Sequence, residues 1–322
     1  MSEILKVSIK DFKTDSGAVN ISLDLFYQHF GKDYKTAPVV LVNHSLTGDS
    51  NVSGNNGWWS EIIGPGMTID TNYYSVLAFN IPGNGFQDSI IKNHNDFHTG
   101  DIARIFFKGL RVLGIKNLYA IIGGSIGGSI VWEMGALYPN LSKHLIPIGS
   151  DWKASDWIIA NTFLQKRILD NSSKPLEDAR IHAMLTYRNP NSFDSRFNRT
   201  KNEENNKYNV ENWLTHHGKK LNNRFKLEAY VFMNHLLSRV DITRSLMSFE
   251  QIIKKIKSSI HLIAIDSDLY FFSYQDKLTF EKAKKSKKNI YYNEIKSIHG
   301  HDAFLIENVK MSNILKPIFN KK

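Results

Sequence analysis

One short segment, Gly123-Gly124-Ser125-Ile126-Gly127-Gly128, constrains this chain more than any other. It follows an apolar run, 118–122 (LYAII), and precedes a helical pattern, 129–138 (SIVWEMGALY). A serine set between strand and helix by glycines on both sides fits a nucleophile elbow. Such a turn leaves no room for a Cβ at the flanking positions, and its strain lifts the hydroxyl above the sheet edge. The Ile126 amide, at the start of the next helix, then points at a developing oxyanion. A glycine turn without chemistry would use similar letters, so the partners of Ser125 decide between the readings.

The chain contains no cysteine, which excludes disulfides, thiolate zinc sites and a thiol nucleophile. A serine hydroxyl needs a base. In this setting the partners follow in the order Ser, acid, His, each just past a later strand. Asp266-Ser267-Asp268 follows the run 259–265, and His299-Gly300-His301-Asp302 follows 289–295. Spacing leaves Asp266 or Asp268, and His299 or His301, open. Asp268 lies further past its strand, and His301 follows a glycine that can take an unusual backbone conformation. The second oxyanion donor should come from the turn after 38–43, where His44-Ser45-Leu46-Thr47-Gly48 offers the Leu46 amide.

The runs 38–43, 73–80, 118–123, 144–149, 259–265 and 289–295 are short, continuous and rich in Val, Ile and Leu, preceded by an alternating strand at 21–30. They read as strands buried on both faces of a mostly parallel sheet. Residues 99–114 put Ile102, Ile105, Phe106, Leu110 and Leu113 on one helical stripe, with Thr99 as N-cap and Gly114 as the stop. Alternating strands and helices give an α/β fold. The rhythm breaks between 152 and 255, where amphipathic stretches replace strands. The chain therefore divides into a core (1–151), a helical lid insertion (152–255) and the rest of the core (256–322).

The net charge is +10, from 41 basic against 31 acidic side chains. Much of the excess is dispersed lysine, as in Lys282, Lys284, Lys285, Lys287 and Lys288, which reads as a solvated surface rather than a nucleic-acid footprint. No apolar run approaches the roughly 20 residues of a membrane span, and no signal peptide is readable, so a cytoplasmic location is expected with no membrane partner. His216 and His217 point about 100° apart on a helix and cannot share an ion. No metal and no bound cofactor are expected.

These segments together resemble the homoserine O-acetyltransferase family of the α/β-hydrolase fold, from about residue 38 to 307. His44-Ser45-Leu46-Thr47-Gly48-Asp49 is similar to its H-x-L-T-G-D loop. Gly57-Trp58-Trp59, Ile63-Gly64-Pro65-Gly66 and Ile69-Asp70-Thr71 are similar to its G-W-W, I-G-P-G and I-D-T stretch. The serine turn resembles G-G-S-M-G-G, Ser267-Asp268 with Leu269 resembles S-D-x-L, and Gly300-His301-Asp302-Ala303-Phe304-Leu305 resembles G-H-D-x-F-L. Ala179-Arg180, Thr186-Tyr187-Arg188 and Arg196-Phe197 resemble the pattern A-R, T-Y-R, R-F.

The resemblance implies Ser125, Asp268 and His301 as the triad. It further implies Arg180 for the carboxylate of an amino-acid acceptor, Asp302 for its amino group, Tyr187 in the same pocket, and a homodimer through the lid. The implied reaction moves acetyl from acetyl-CoA, a co-substrate, to the hydroxyl of L-homoserine through a Ser125 acyl-enzyme, a step of methionine biosynthesis. A serine esterase, another acceptor (serine) or another donor (succinyl-CoA) are the alternatives. One segment departs from the family: Pro82-Gly83-Asn84-Gly85-Phe86-Gln87 stands in place of a longer glycine-rich stretch. It is expected to wall the acyl pocket together with 44–49, its glycines leaving room for acetyl.

Overall fold

The computed structural model describes residues 3–319. Its main sheet has the strand order β1-β2-β6-β3-β7-β8-β9-β10. The hairpin β1 (Leu5–Lys13) and β2 (Asn20–Gly31) is antiparallel, and β2 also pairs antiparallel with β6 (Ser75–Phe79). From β6 onward, through β3 (Val39–Asn43), β7 (Leu118–Gly124), β8 (Ser142–Ile148), β9 (Ser259–Ile265) and β10 (Ile290–Ile295), every pairing is parallel. A separate two-stranded piece, β4 (Ile63–Gly64) with β5 (Ile69–Asp70), lies in the segment before β6.

The apolar runs behave as their composition predicts. All of β3 and β6 is buried. Successive side chains feed opposite cores: Val39 and Leu41 join one cluster, Val40 and Val42 the other. The first cluster packs under α1 (Thr99–Val112) and α2 (Ile126–Leu137), the second under the C-terminal helix Asn308–Leu315. Each fully buried Val, Leu or Ile contributes roughly 1.5–3 kcal/mol. This double-sided burial is what holds the strand ends rigid enough to present a site.

β1 escaped the pattern reading. Its alternation is interrupted by a register shift between Ile9 and Phe12, where Asp11 takes φ 49°. The cap of α1 also differs from expectation. His98 is the N-cap: its Nδ1 accepts from the Asp101 amide, and Asp101 Oδ2 accepts from the His98 amide. Thr99 is instead buried, donating to Glu133 Oε1 at 2.6 Å.

Between β8 and β9 run α3 (Asp156–Asn171), α4 (Pro175–Tyr187), α5 (Pro190–Phe197), α6 (Asn209–Asn222), α7 (Leu227–Ser238) and α8 (Phe249–Lys255). Their starts are set locally. Ser155 and Ser248 cap α3 and α8, and Pro175 and Pro190 open α4 and α5, where a missing N–H costs nothing. α3, α4, α6 and α7 pack on one another above the carboxyl ends of the strands, whereas α8 returns to the core against α2 and α9 (Ser273–Lys284). None of the helices among the described residues is long and apolar enough to cross a membrane.

Candidate active site

Ser125 sits between β7 and α2 with φ 60° and ψ −132°, a region non-glycine residues rarely visit. Its amide donates to the Ile148 carbonyl at 2.9 Å, and its own carbonyl accepts from Gly128 and Ser129, opening α2. The flanking glycines are sterically required. A Cβ on Gly123 would lie 2.6 Å from the Gly127 backbone, and one on Gly127 would lie 2.4 Å from the Asn43 carbonyl oxygen.

His301 is brought to Ser125 by the loop after β10. Its Nδ1 donates to Asp268 Oδ2 at 2.7 Å, with both side chains almost wholly buried. Asp268 is fixed in turn. Its Oδ1 accepts from the amides of Tyr270 and Phe271 at 2.7 and 2.9 Å. Burial alone would lower the His301 pKa, but the Asp268 carboxylate outweighs it, with a smaller push from Asp302, and the net shift is upward. His301 Nε2 is buried with no hydrogen-bond partner. His301 and Ser125 both line one small cavity of about 50 Å³.

The alternatives left open by spacing separate here. Asp266 faces outward, accepting from the Ser297 amide at 2.9 Å with Lys296 nearby. The His299 amide donates to Ser297 Oγ at 3.0 Å, and its Nδ1 is buried without a hydrogen-bond partner and away from any carboxylate of the pair Asp266 and Asp268. Ser267 joins the two loops, its hydroxyl accepting from the Gly300 amide at 3.1 Å. The Trp59 indole N–H donates to the Phe304 carbonyl at 3.0 Å, tying the Gly57-Trp58-Trp59 stretch to the segment after His301.

Leu46 lines the cavity beside Ser45 and Thr47, and Ile126 stands at the first turn of α2. The segment 82–87 does not wall the cavity, contrary to expectation. It packs outward onto α7: a Cβ on Gly83 would lie 2.6 Å from the Phe232 ring, and one on Gly85 would lie 3.1 Å from Ala229 Cβ. Those glycines therefore make room for a helix, not for an acyl group.

Arg180, Tyr187 and Asp302 all line the cavity. Arg180 projects from α4, its guanidinium 5.7 Å from the Tyr187 ring centre. Among the described residues it has no carboxylate within ion-pair distance, so it is not the helix-surface ion pair that its sequence position alone would favour. Tyr187 is buried against Tyr270 and His301, at ring separations of 5.1 and 5.5 Å. Asp302 already has a neighbour, Arg188 of the Thr186-Tyr187-Arg188 segment, at 3.1 Å, a residue to which the sequence assigned no role. An arginine outside every segment quoted from the sequence, Arg224, arrives from beyond α6 and donates to the Thr47 carbonyl at 2.9 Å. The cationic surroundings show in His217, pushed down to about 4 by burial and then by Arg180 and its neighbours. A larger groove between 61–68 and 308–319 holds no such serine–histidine pair.

Residues 38–231 match the α/β-hydrolase fold family. The homoserine O-acetyltransferase of Carboxydothermus hydrogenoformans is 30% identical, covering 97% of this chain and 94% of that protein. The chain belongs to the homoserine O-acetyltransferase family. The family's protein from Cyclobacterium marinum is 32% identical, covering 87% of this chain and 84% of its own length. Among solved structures, homoserine O-acetyltransferase from Staphylococcus aureus superposes with a TM-score of 0.84 at 25% identity, covering 100% of this chain and 96% of that one. Esterase E22 shares the fold as well, with a TM-score of 0.87 at 16% identity over 99% of this chain. Membership in the homoserine O-acetyltransferase family accounts for the order of motifs along the chain.

Proposed function

We propose that this enzyme transfers acetyl from acetyl-CoA to the hydroxyl of L-homoserine by double displacement, a step toward methionine. His301, oriented by Asp268, takes the Ser125 proton as the serine oxygen attacks the thioester carbonyl. The amides of Leu46 and Ile126 stabilise the oxyanion, CoA leaves as the thiol after receiving the proton from His301, and an acetyl-serine remains. Homoserine then enters, its carboxylate on Arg180 and its ammonium on Asp302. His301 removes the hydroxyl proton, the acceptor oxygen attacks the acetyl-serine, and Ser125 is regenerated.

The observation carrying this reading is the charge arrangement. An unpaired guanidinium and a carboxylate flank the cavity that holds Ser125 and His301. An ester hydrolase that uses water has no need of such a pair, whereas an amino-acid acceptor matches it group for group. The small cavity favours acetyl over succinyl, whose second carboxylate would lose hydration there. The relatives' names point the same way.

The reaction would run in the cytoplasm. A homodimer through the helical lid is supported by the exposed apolar side chains Ile159, Phe163 and Leu164 on α3. To test the reading, the enzyme is mixed with acetyl-CoA alone and the mass added at Ser125 is measured. Homoserine, serine or buffer is then added. Faster loss of the label with homoserine than with serine or buffer is expected. Equal loss in all three makes the enzyme a hydrolase, and labelling by succinyl-CoA in preference overturns the donor.

A further inference from the structure

Asp302 does not wait alone for an acceptor. Arg188 Nε lies 3.1 Å from Asp302 Oδ2, with side-chain exposures of 16% and 17%. The Nε–H is not aimed at the oxygen, so the contact is a charge pair rather than a hydrogen bond. The guanidinium is steadied from another side by Trp213 of α6, 5.8 Å from the ring centre.

The backbone holds this pair in register. Arg188 is the C-cap of α4, and Gly300 passes so close beneath it that a Cβ there would lie 2.7 Å from the Tyr187 carbonyl oxygen and 2.9 Å from the Arg188 carbonyl carbon. Gly300 also has φ +66°, so a side chain would be both strained and obstructed. The end of the lid helix and the loop carrying His301 and Asp302 are thus locked together through main chain.

Two arginines of the same segment therefore differ in kind. Arg180 lines the cavity and has no anionic partner, whereas Arg188 does not line it and faces Asp302. A largely buried carboxylate without a counter-charge turns toward solvent to recover its hydration. During acylation no acceptor ammonium is present, and Arg188 supplies the missing charge. We propose that Arg188 is a positioning residue that holds the Asp302 carboxylate directed into the cavity, so that Asp302 selects acceptors bearing an ammonium group. This rests on the functional reading above and extends it to how the acceptor is discriminated.

The test compares acceptors with one charge removed. L-Homoserine carries both charges, propanolamine lacks the carboxylate, and γ-hydroxybutyrate lacks the ammonium. Decay of preformed acetyl-enzyme is followed with each, in the wild type, Arg188→Met and Arg188→Lys. Arg188→Met should lower kcat/KM for homoserine and propanolamine on the order of tenfold or more, and leave γ-hydroxybutyrate unchanged. Arg188→Lys should recover part of the loss. Acetyl-enzyme formation should proceed normally in both variants, which also shows that they fold. Loss with homoserine and γ-hydroxybutyrate, but not with propanolamine, would make Arg188 a direct carboxylate contact and overturn the proposal. Equal loss with all three, or failed acylation in both variants, would overturn it in favour of a structural role. A wild type that prefers homoserine no more than γ-hydroxybutyrate would sink the functional reading together with the proposal. That failure appears in the wild-type arm alone.

Discussion

The Ile81 amide donates to His44 Nε2 at 2.9 Å, which leaves Nδ1 to carry the ring proton and donate it to the Ser45 carbonyl at 2.7 Å. His44 is almost wholly buried, and burial holds its pKa below the ordinary histidine value. A neutral ring thus clamps the end of β6 to the turn that presents the Leu46 amide. His44→Ala should slow acetyl-enzyme formation on the order of tenfold to a hundredfold with little change in donor KM. Rapid-quench measurement of acylation checks this. A change in KM alone would mean that the turn shapes the pocket and not the oxyanion site.

For the proposed triad, Ser125→Ala should abolish label from acetyl-CoA while circular dichroism stays native. Asp268→Asn should cost several powers of ten in kcat, because it presents an amide N–H to His301 Nδ1 and disfavours the productive tautomer. Asp266→Asn should cost little, since among the described residues the Asp266 side chain meets the Ser297 amide and Lys296 and lies away from His301. The reverse ranking would move the acid to Asp266.

In the proposed mechanism the raised pKa of His301 sets the pH dependence of acylation. The ring must be neutral to accept the Ser125 proton, so acylation should fall as pH drops through a value above that of an ordinary histidine. Its charged form is the one the fold favours. Its contribution to stability is therefore fully present below the unfolded-state pKa and is lost as pH rises through the folded one. An acylation pH profile with its acid limb at or below the ordinary histidine value contradicts this.

Arg180→Ala should raise the homoserine KM or slow the second half-reaction, on the order of tenfold or more, and leave acylation near normal. In the proposed reaction the carboxylate bound by Arg180 belongs to the acceptor alone. Single-turnover measurement of each half-reaction separates the two, and equal loss in both would assign Arg180 to the architecture instead.

Asp276, on α9, is buried with one carboxyl oxygen unpartnered, and burial followed by repulsion from Asp151 and Asp268 pushes its pKa well up. The folded state therefore retains a proton that the unfolded chain loses. Stability from this group is full below the unfolded pKa and is lost as pH rises through the folded one. Asp276→Asn does not titrate, so its gain in Tm over wild type should be larger at pH 8 than at pH 5, as thermal melts at the two pH values would show. A pH-independent difference would mean that the carboxyl is not protonated in the fold.

The sequence by itself determined the parallel strands of the sheet and the turn that carries Ser125. Unbroken runs such as Val39–Asn43 have one stable place, buried on both faces, and Gly123 and Gly127 admit no side chain where backbones touch. Both are local consequences of residue type. The resemblance supplied Asp268 and His301, which spacing had left paired with Asp266 and His299, because a loop's length does not say which way its side chains turn. Only the tertiary structure decided the rest. The bond from Ile81 to His44, the distance from Arg188 to Asp302 and the approach of Arg224 to Thr47 join residues far apart in the chain. Their partners are selected by how the lid helices pack over the strand ends. The segment 82–87 shows the same limit: its glycines promised open space, and helix α7 fills it. A glycine states that a side chain is absent, and only the packed fold decides what occupies the space.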